Sequence, residues 1–436
     1  PVYPATALPN HCNVLTLQCA GNYNVEFRAY NNGVAYRFVS RLKKPFNVNS
    51  EGVEYNLVGD CTCVVPYVKG FDANNPEGQF RNSFENTYTI SPVSKLNPNR
   101  YCFLPLVVEA AEGIKLCLTE SHLEDYPGLY LQAAEGNSLK GLSARYPKQL
   151  KQGGHNNLQM LVLEREQFIA KVNGERSFPW RIAMISRSDA DMANNNLSYL
   201  LGAPCRLDDT SWIRPGKVAW DWWNDWNIGG VDFKSGVNTA TYKHYIDFAG
   251  EHGIEYVILD EGWAVNLKAD LMQVVPEINL KEIIDYAATK NVGIILWAGY
   301  RAFERDMENV CRHYSQMGVK GFKVDFMDRD DQIITDFYYR TAATCARYHL
   351  LVDFHGAFKP AGLNRTYPNA INFEGVFGLE QLKWMPQGHD QVTYDCQVPF
   401  IRQAGGPLDY TQGAMINSVK GAYAPSNSLP MSQGTR

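Results

Sequence analysis

The feature that most constrains this chain is a change of rhythm near Gly216. Before it, from residue 12 to about 190, short alternating runs are broken by turn residues. Tyr23 to Tyr30, then Asn31-Asn32-Gly33, then Val34 to Ser40 read as a hairpin. Further runs at Tyr101 to Val108, Lys115 to Thr119, Gly128 to Gln132 and Arg181 to Ser186 carry no helical period, which predicts a large β-sandwich. Residues 191–216, with Asn194-Asn195-Asn196 and Arg214-Pro215-Gly216, read as a linker. Beyond it, strands alternate with amphipathic helices. The candidate strands are Lys217 to Trp223, Tyr256 to Asp260, Val292 to Trp297, Gly321 to Phe326, His349 to Phe354, Ala370 to Phe373 and about Val398 to Arg402. Helices are expected at Thr239 to His252, Leu280 to Lys290, Phe303 to Met317 and Gln332 to Tyr348.

Repeated βα units of this size imply parallel strands, and seven of them imply a (β/α)8 TIM-type barrel. The expected organisation is multidomain: an N-terminal all-β sandwich over 1–190 lacking its first strands, a linker over 191–216, and a catalytic barrel over 217–436. A doubly wound sheet is the alternative. Against it, no GxGxxG fingerprint follows the first strand, and polar or aromatic residues cluster after almost every strand. A barrel missing its eighth strand leaves two unpaired edges, so a longer natural chain, truncated here before that strand, is expected.

Composition narrows the partners. A chain of 436 residues exceeds what one core serves. The net charge of -5 and the lack of clustered Lys and Arg point away from nucleic acid. No apolar run approaches the length of a membrane span. The ten Cys form no CxxC pair, so neither a zinc site nor a disulfide framework is expected, and the redox compartment stays open. The nine Trp and 25 Tyr suit a sugar binder, because aromatic faces stack on pyranose rings, and equally suit a large core.

In a barrel of this type catalysis sits where strands end and βα loops begin. Here those ends read Trp220-Asp221-Trp222-Trp223-Asn224-Asp225, Asp260-Glu261-Gly262-Trp263, Trp297, Lys323-Val324-Asp325, Asp353-Phe354-His355-Gly356 and Asn372-Phe373-Glu374, with Glu380 shortly after. Acids beside aromatics, with few cations, suit a neutral polyhydroxyl ligand that gains positive charge in the transition state. Glycoside cleavage needs one carboxyl group to protonate the leaving oxygen and another to attack the anomeric carbon or activate water. Asp325 and Glu380 are the candidate pair. Lys323 shares a strand face with Asp325, where its ammonium keeps a carboxylate ionised.

The strings GKVAWDWWNDWN, YVILDEGW, GFKVDFMDRDDQ, VDFHGAFKP and NAINFEGVFGLE, behind a β-rich region containing TESHLEDYPGLYL, resemble glycoside hydrolase family 97. The resemblance covers nearly the whole chain. It implies a bacterial α-glycosidase, periplasmic or secreted, with an N-terminal β-sandwich, a catalytic barrel, a small C-terminal β domain and a bound calcium ion. The family has inverting α-glucosidase-like and retaining α-galactosidase-like branches. Inverting members carry base glutamates after the third and fifth strands, where this sequence has the Ala298-Gly299 region and Gly356. Retaining members carry an aspartate nucleophile at the end of the fourth strand, where this sequence has Asp325.

The resemblance therefore implies a retaining α-galactosidase with Asp325 as nucleophile and Glu380 as acid/base, the two carboxyl groups lying about 5 to 5.5 Å apart. It also implies calcium ligation by Glu120, Glu374 and Glu380. Asp260, Glu261, Trp263, Trp297 and Lys323 are candidates for holding the non-reducing sugar, and His355 for binding a hydroxyl or supporting Asp325. An inverting α-glucosidase and a non-catalytic carbohydrate-binding protein or inactive fragment are the competing readings. Galactose against glucose, linkage, aglycone and oligomeric state stay open.

Overall fold

The computed structural model describes residues 7–386 and 389–411. Its N-terminal part is all β. A nine-stranded antiparallel sheet runs in the order Asn13–Cys19, Tyr23–Tyr30, Gly33–Ser40, Trp180–Ser186, Lys115–Ser121, Leu106–Glu109, Thr62–Val65, Thr89–Pro92, with Arg176–Ser177 pairing beside Gly33–Ser40. The expected hairpin closes with Tyr30 opposite Gly33. Glycine is required there, because a Cβ would lie 2.7 Å from the carbonyl of Ala183 on the neighbouring strand. Tyr130–Ala134, Ser138–Leu142 and Glu54–Asn56 form a second sheet. Cys63, Val65, Leu106, Val108 and Leu118 of the large sheet pack with Leu129, Leu131 and Leu139 of the smaller one in one buried core. Among the described residues no cysteine is in a disulfide.

The span read as a linker is partly packed. It holds the short helix Leu197–Leu200, whose Leu197 is buried with Trp180 and Ile182 against the large sheet.

After it comes a six-stranded, all-parallel sheet in chain order: Val218–Trp220, Tyr256–Leu259, Gly293–Gly299, Gly321–Asp325, Leu351–Phe354 and Ala370–Phe373. Two of the connecting helices begin at the residues expected from sequence, each on an asparagine cap. The side chain of Asn238 accepts from the amide of Thr241 to start Thr239–Glu251, and that of Asn279 accepts from Glu282 to start Leu280–Thr289. The seventh expected strand, about Val398 to Arg402, is not one. Helix Gln391–Gln397 leads into a 3-10 turn over Val398–Phe400. Pro399 explains the difference, since it has no N–H for a ladder and its fixed φ suits the first turn of a helix.

The two parts meet at the carboxyl ends of the parallel strands. Asn82 donates its amide to the carbonyl of Asp328 (2.9 Å), Gly128 its amide to Asp330 (2.9 Å), and Arg301 its amide to Leu158 (2.9 Å). The β-rich part thereby forms a wall over the strand ends.

Candidate active site

Between that wall and the strand ends lies a cavity of about 490 Å³. Its floor follows from alternation along Gly321–Asp325. Phe322 and Val324 are fully buried in the apolar core, so Lys323 and Asp325 belong to the opposite face and line the cavity. Lys323 is 3% exposed and its Nζ donates to Asp260 Oδ2 at 2.8 Å. The same oxygen accepts from Trp220 Nε1 at 2.6 Å, and Asp260 Oδ1 accepts from the amide of Glu261 at 2.7 Å. Burial would raise the Asp260 carboxyl, but Lys323 and these donors hold it below its usual range. Burial would likewise discharge Lys323, and the surrounding carboxylates of Asp260, Asp325 and Glu380 keep it charged.

Asp325 ends the strand and, among the described residues, has one donor on each oxygen. Phe326 N donates to Oδ1 at 2.6 Å and Trp297 Nε1 to Oδ2 at 3.1 Å. Glu380 sits in the 3-10 turn Leu379–Lys383 that follows the sixth strand, and its Oε1 accepts from Trp222 Nε1 at 2.7 Å. Burial pushes Glu380 up to about 7; Lys323 opposes this and Glu85 adds to it. Both Asp325 and Glu380 line the cavity.

Glu374 also lines it, accepting from the amide of Gly356 at 2.8 Å. Carboxylate oxygens of Glu85, Glu374 and Glu380 lie within 4.8 Å of one another. Burial, with repulsion from Glu374, pushes Glu85 up to about 8. Three mutually repelling carboxyl groups, one buried and two half-buried, form an all-oxygen donor set of the kind a hard divalent cation takes. Glu85 was missed by sequence reasoning. It lies on an irregular segment of the β-rich part, with no alternation or strand-end position to single it out.

Glu120, expected in that set, is elsewhere. It is fully buried near the end of strand Lys115–Ser121, where Oε1 accepts from Lys359 Nζ (2.5 Å) and Oε2 from Arg181 Nη1 (2.5 Å), with the amide of Leu129 on both. Its oxygens are taken by protein donors, which leaves none to a metal.

The expected sugar-binding residues separate into two groups. Asp260, Glu261, Trp297, Lys323 and His355 line the cavity. Glu261 is tied to the β-rich wall by His155 Nε2 (2.8 Å) and Asn156 Nδ2 (2.6 Å). Trp263 does not reach the cavity. It is 1% exposed, packs edge-on against Tyr314, and donates Nε1 to the carbonyl of Trp297 at 2.9 Å. His355 lies among acids, with Nε2 2.7 Å from Asp409 Oδ2 and Nδ1 3.2 Å from Glu374 Oε1. Burial disfavours its charge, yet Glu374 and Asp353 outweigh burial and hold the imidazole well above its usual range. Asp221, at the first strand end, is buried and accepts from Tyr242 Oη at 2.6 Å. Trp222, Trp226, Asp328 and Trp384 line the cavity without having been singled out in sequence.

Comparison with known proteins gives one consistent family. Residues 222–376 match the family described as Glycoside hydrolase 97, and residues 2–204 match its N-terminal region, Glycosyl-hydrolase 97 N-terminal. A protein named retaining alpha-galactosidase from Bacteroides thetaiotaomicron is 66% identical over 100% of this chain and 66% of its own length. A probable retaining alpha-galactosidase from Streptomyces bingchenggensis is 32% identical over 56% of this chain and 37% of its own length. The chain thus spans less than two thirds of both relatives. Among solved structures, a beta-arabinopyranosidase superposes with a TM-score of 0.77 at 21% identity, covering 96% of this chain and 65% of that one. A Glycoside Hydrolase Family 97 enzyme from Pseudoalteromonas sp. strain K8 in complex with acarbose gives 0.73 at 19% identity, covering 92% and 66%. These two superpositions speak to the fold alone.

Proposed function

Because this chain belongs to glycoside hydrolase family 97, we propose that it is the catalytic portion of a retaining α-galactosidase. Asp325 attacks the anomeric carbon while the proton of Glu380 passes to the departing glycosidic oxygen. Glu380 then takes a proton from water, which displaces the ester and restores both groups. The observation that carries this reading is the pairing of an Asp325 oriented by two donors with a Glu380 pushed up to about 7 in one cavity over a buried cation. The substrate is an α-galactoside or a galactose-containing oligosaccharide, with Asp260, Glu261 and Lys323 at its non-reducing end.

The inverting reading fits less well. Gly356 stands where that branch carries a base glutamate; its φ is +55°, and a Cβ there would lie 2.5 Å from Asp328 Oδ1. At Gly299 a Cβ would lie 2.7 Å from the Leu158 side chain. In both places neighbouring side chains occupy the space that a base at that position would enter.

The architecture we propose is the β-sandwich over 1–190, the connecting span 191–216 and a (β/α)8 barrel from 217, of which the six parallel strands are part. The cofactor is calcium, held by Glu85, Glu374 and Glu380. When bound, the ion would supply positive charge that offsets the repulsion among these carboxylates and orients a sugar hydroxyl. A periplasmic or secreted setting follows from the family resemblance; among the described residues no helix is long and apolar enough to cross a membrane.

Two measurements test the reaction. NMR of early turnover should show α-galactose as first product. Asp325→Gly should abolish turnover, and azide should partly restore it as a β-galactosyl azide. First-formed β-galactose, or full activity in the glycine variant, would reject the assignment.

A further inference from the structure

We propose that Trp297 is a positioning residue that selects Oδ2 of Asp325 as the attacking oxygen and then assists the departure of that carboxylate in the second half of the reaction. This rests on the reading of Asp325 as nucleophile and adds what the two oxygens do separately.

The two oxygens are held unequally. Oδ1 accepts from the amide of Phe326 at 2.6 Å. Phe326 has a φ of +65°, a left-handed conformation rare for a side chain of this size, so the surrounding structure holds that amide in place. Among the described residues, Oδ2 accepts a longer bond, 3.1 Å, from the indole of Trp297. That indole is itself anchored. Trp297 is 5% exposed, its ring meets Phe326 at 75°, and its carbonyl accepts from the buried Trp263 at 2.9 Å.

Esterification changes what each oxygen accepts. The oxygen that bonds to the anomeric carbon becomes an alkoxy oxygen, a poor acceptor, while the other becomes a carbonyl oxygen and remains a good one. The short backbone bond therefore survives if Oδ1 becomes the carbonyl, and only the longer indole bond is given up if Oδ2 attacks. As Oδ2 attacks, the glycosidic C–O bond breaks and its electron pair takes the proton of Glu380. When water later attacks the anomeric carbon, the C–Oδ2 bond breaks and its electron pair returns to Oδ2, where the Trp297 N–H meets the returning charge. Losing this donor thus spares the first step and slows the second.

The test has two arms. In the first, the protein is trapped with 5-fluoro-α-galactosyl fluoride and its crystal structure determined. The ester should run through the oxygen facing Trp297, with the Phe326 amide still on the carbonyl oxygen; an ester through the oxygen facing that amide overturns the proposal. An adduct on another residue would instead reject the nucleophile assignment. In the second arm, Trp297→Phe is followed in the pre-steady state with a nitrophenyl α-galactoside. Its kcat and KM should fall together by about tenfold, the scale of one hydrogen bond to a charged group, leaving kcat/KM nearly unchanged and adding a burst of nitrophenol. Trp297→Gln, which keeps an N–H donor, should regain part of kcat. A loss in kcat/KM without a burst, or unchanged kinetics, overturns the proposal, and wild-type thermal stability of both variants excludes a folding defect as the cause.

Discussion

The indole N–H of Trp222 donates to Glu380 Oε1 across 2.7 Å, joining the loop after the first parallel strand to the turn after the sixth. Two segments 158 residues apart are thereby held at one point, and the bond acts on the ionised form of the carboxyl. It lowers Glu380, whereas burial, its largest influence, raises it.

Activity should follow from that balance. Glu380 must carry a proton to release the leaving group, so kcat/KM should decline as pH rises through the range where that proton is lost, a range that burial sets near 7 and that a bound cation would lower. Trp222→Phe removes an influence that lowers Glu380 and should shift this alkaline limb to higher pH. A pH profile with an unreactive leaving group checks both points; a limb moving to lower pH in the variant would contradict the assignment.

Metal removal gives a second expectation. Chelation should abolish activity and calcium should restore it, since Glu85, Glu374 and Glu380 repel one another without a cation. Calcium at one hundred times its Kd should stabilise the fold by ~2.7 kcal/mol. Glu85→Gln should weaken calcium binding in titration calorimetry, while Glu120→Gln should leave any calcium-dependent increment in Tm intact, because Glu120 is committed to Lys359 and Arg181.

The ion cluster around Arg181 makes a separate stability prediction. Arg181 is 2% exposed and pairs with Glu51 at 2.7 Å and with Glu120 at 2.5 Å. Arg181→Met leaves Glu51 without its cation and Glu120 with Lys359 alone, and should cost ~3–5 kcal/mol in denaturant titration. Breaking the exposed Lys281–Asp285 pair should change stability little.

Acid stability should depend on Glu124. Burial raises its carboxyl, but His122 and Arg206 lower it to about 2. The folded value lies below the ordinary one of 4.5, so the contribution is complete above that pH and is lost as pH falls toward about 2. Glu124→Gln should flatten the stability profile across this window, as measured by denaturation at stepped pH.

Much of the site was legible in sequence because βα repetition places a chain's strand ends at one rim. Asp325, Lys323, Asp260 and Trp297 stood at such ends, and all line the cavity. Glu380 could be read only with the help of the resemblance, since it lies in a turn beyond its strand. Other expectations missed for identifiable reasons. Trp263 stands at a strand end as well, but its ring turns into the core, and strand period says nothing of rotamer. Val398 to Arg402 has the apolar content of a strand, and Pro399 decides for a helical turn.

What the sequence by itself determined was local: where periodicity changes from two to that of a helix, and which acids stand at strand ends. Those follow from side-chain spacing along one stretch of chain. The tertiary structure decided which distant groups meet. It brought Glu85 of the β-rich part to Glu374 and Glu380, and left Glu120 to Lys359 and Arg181. Docking of two separately patterned regions sets those encounters, and no period within either region encodes the surface of the other.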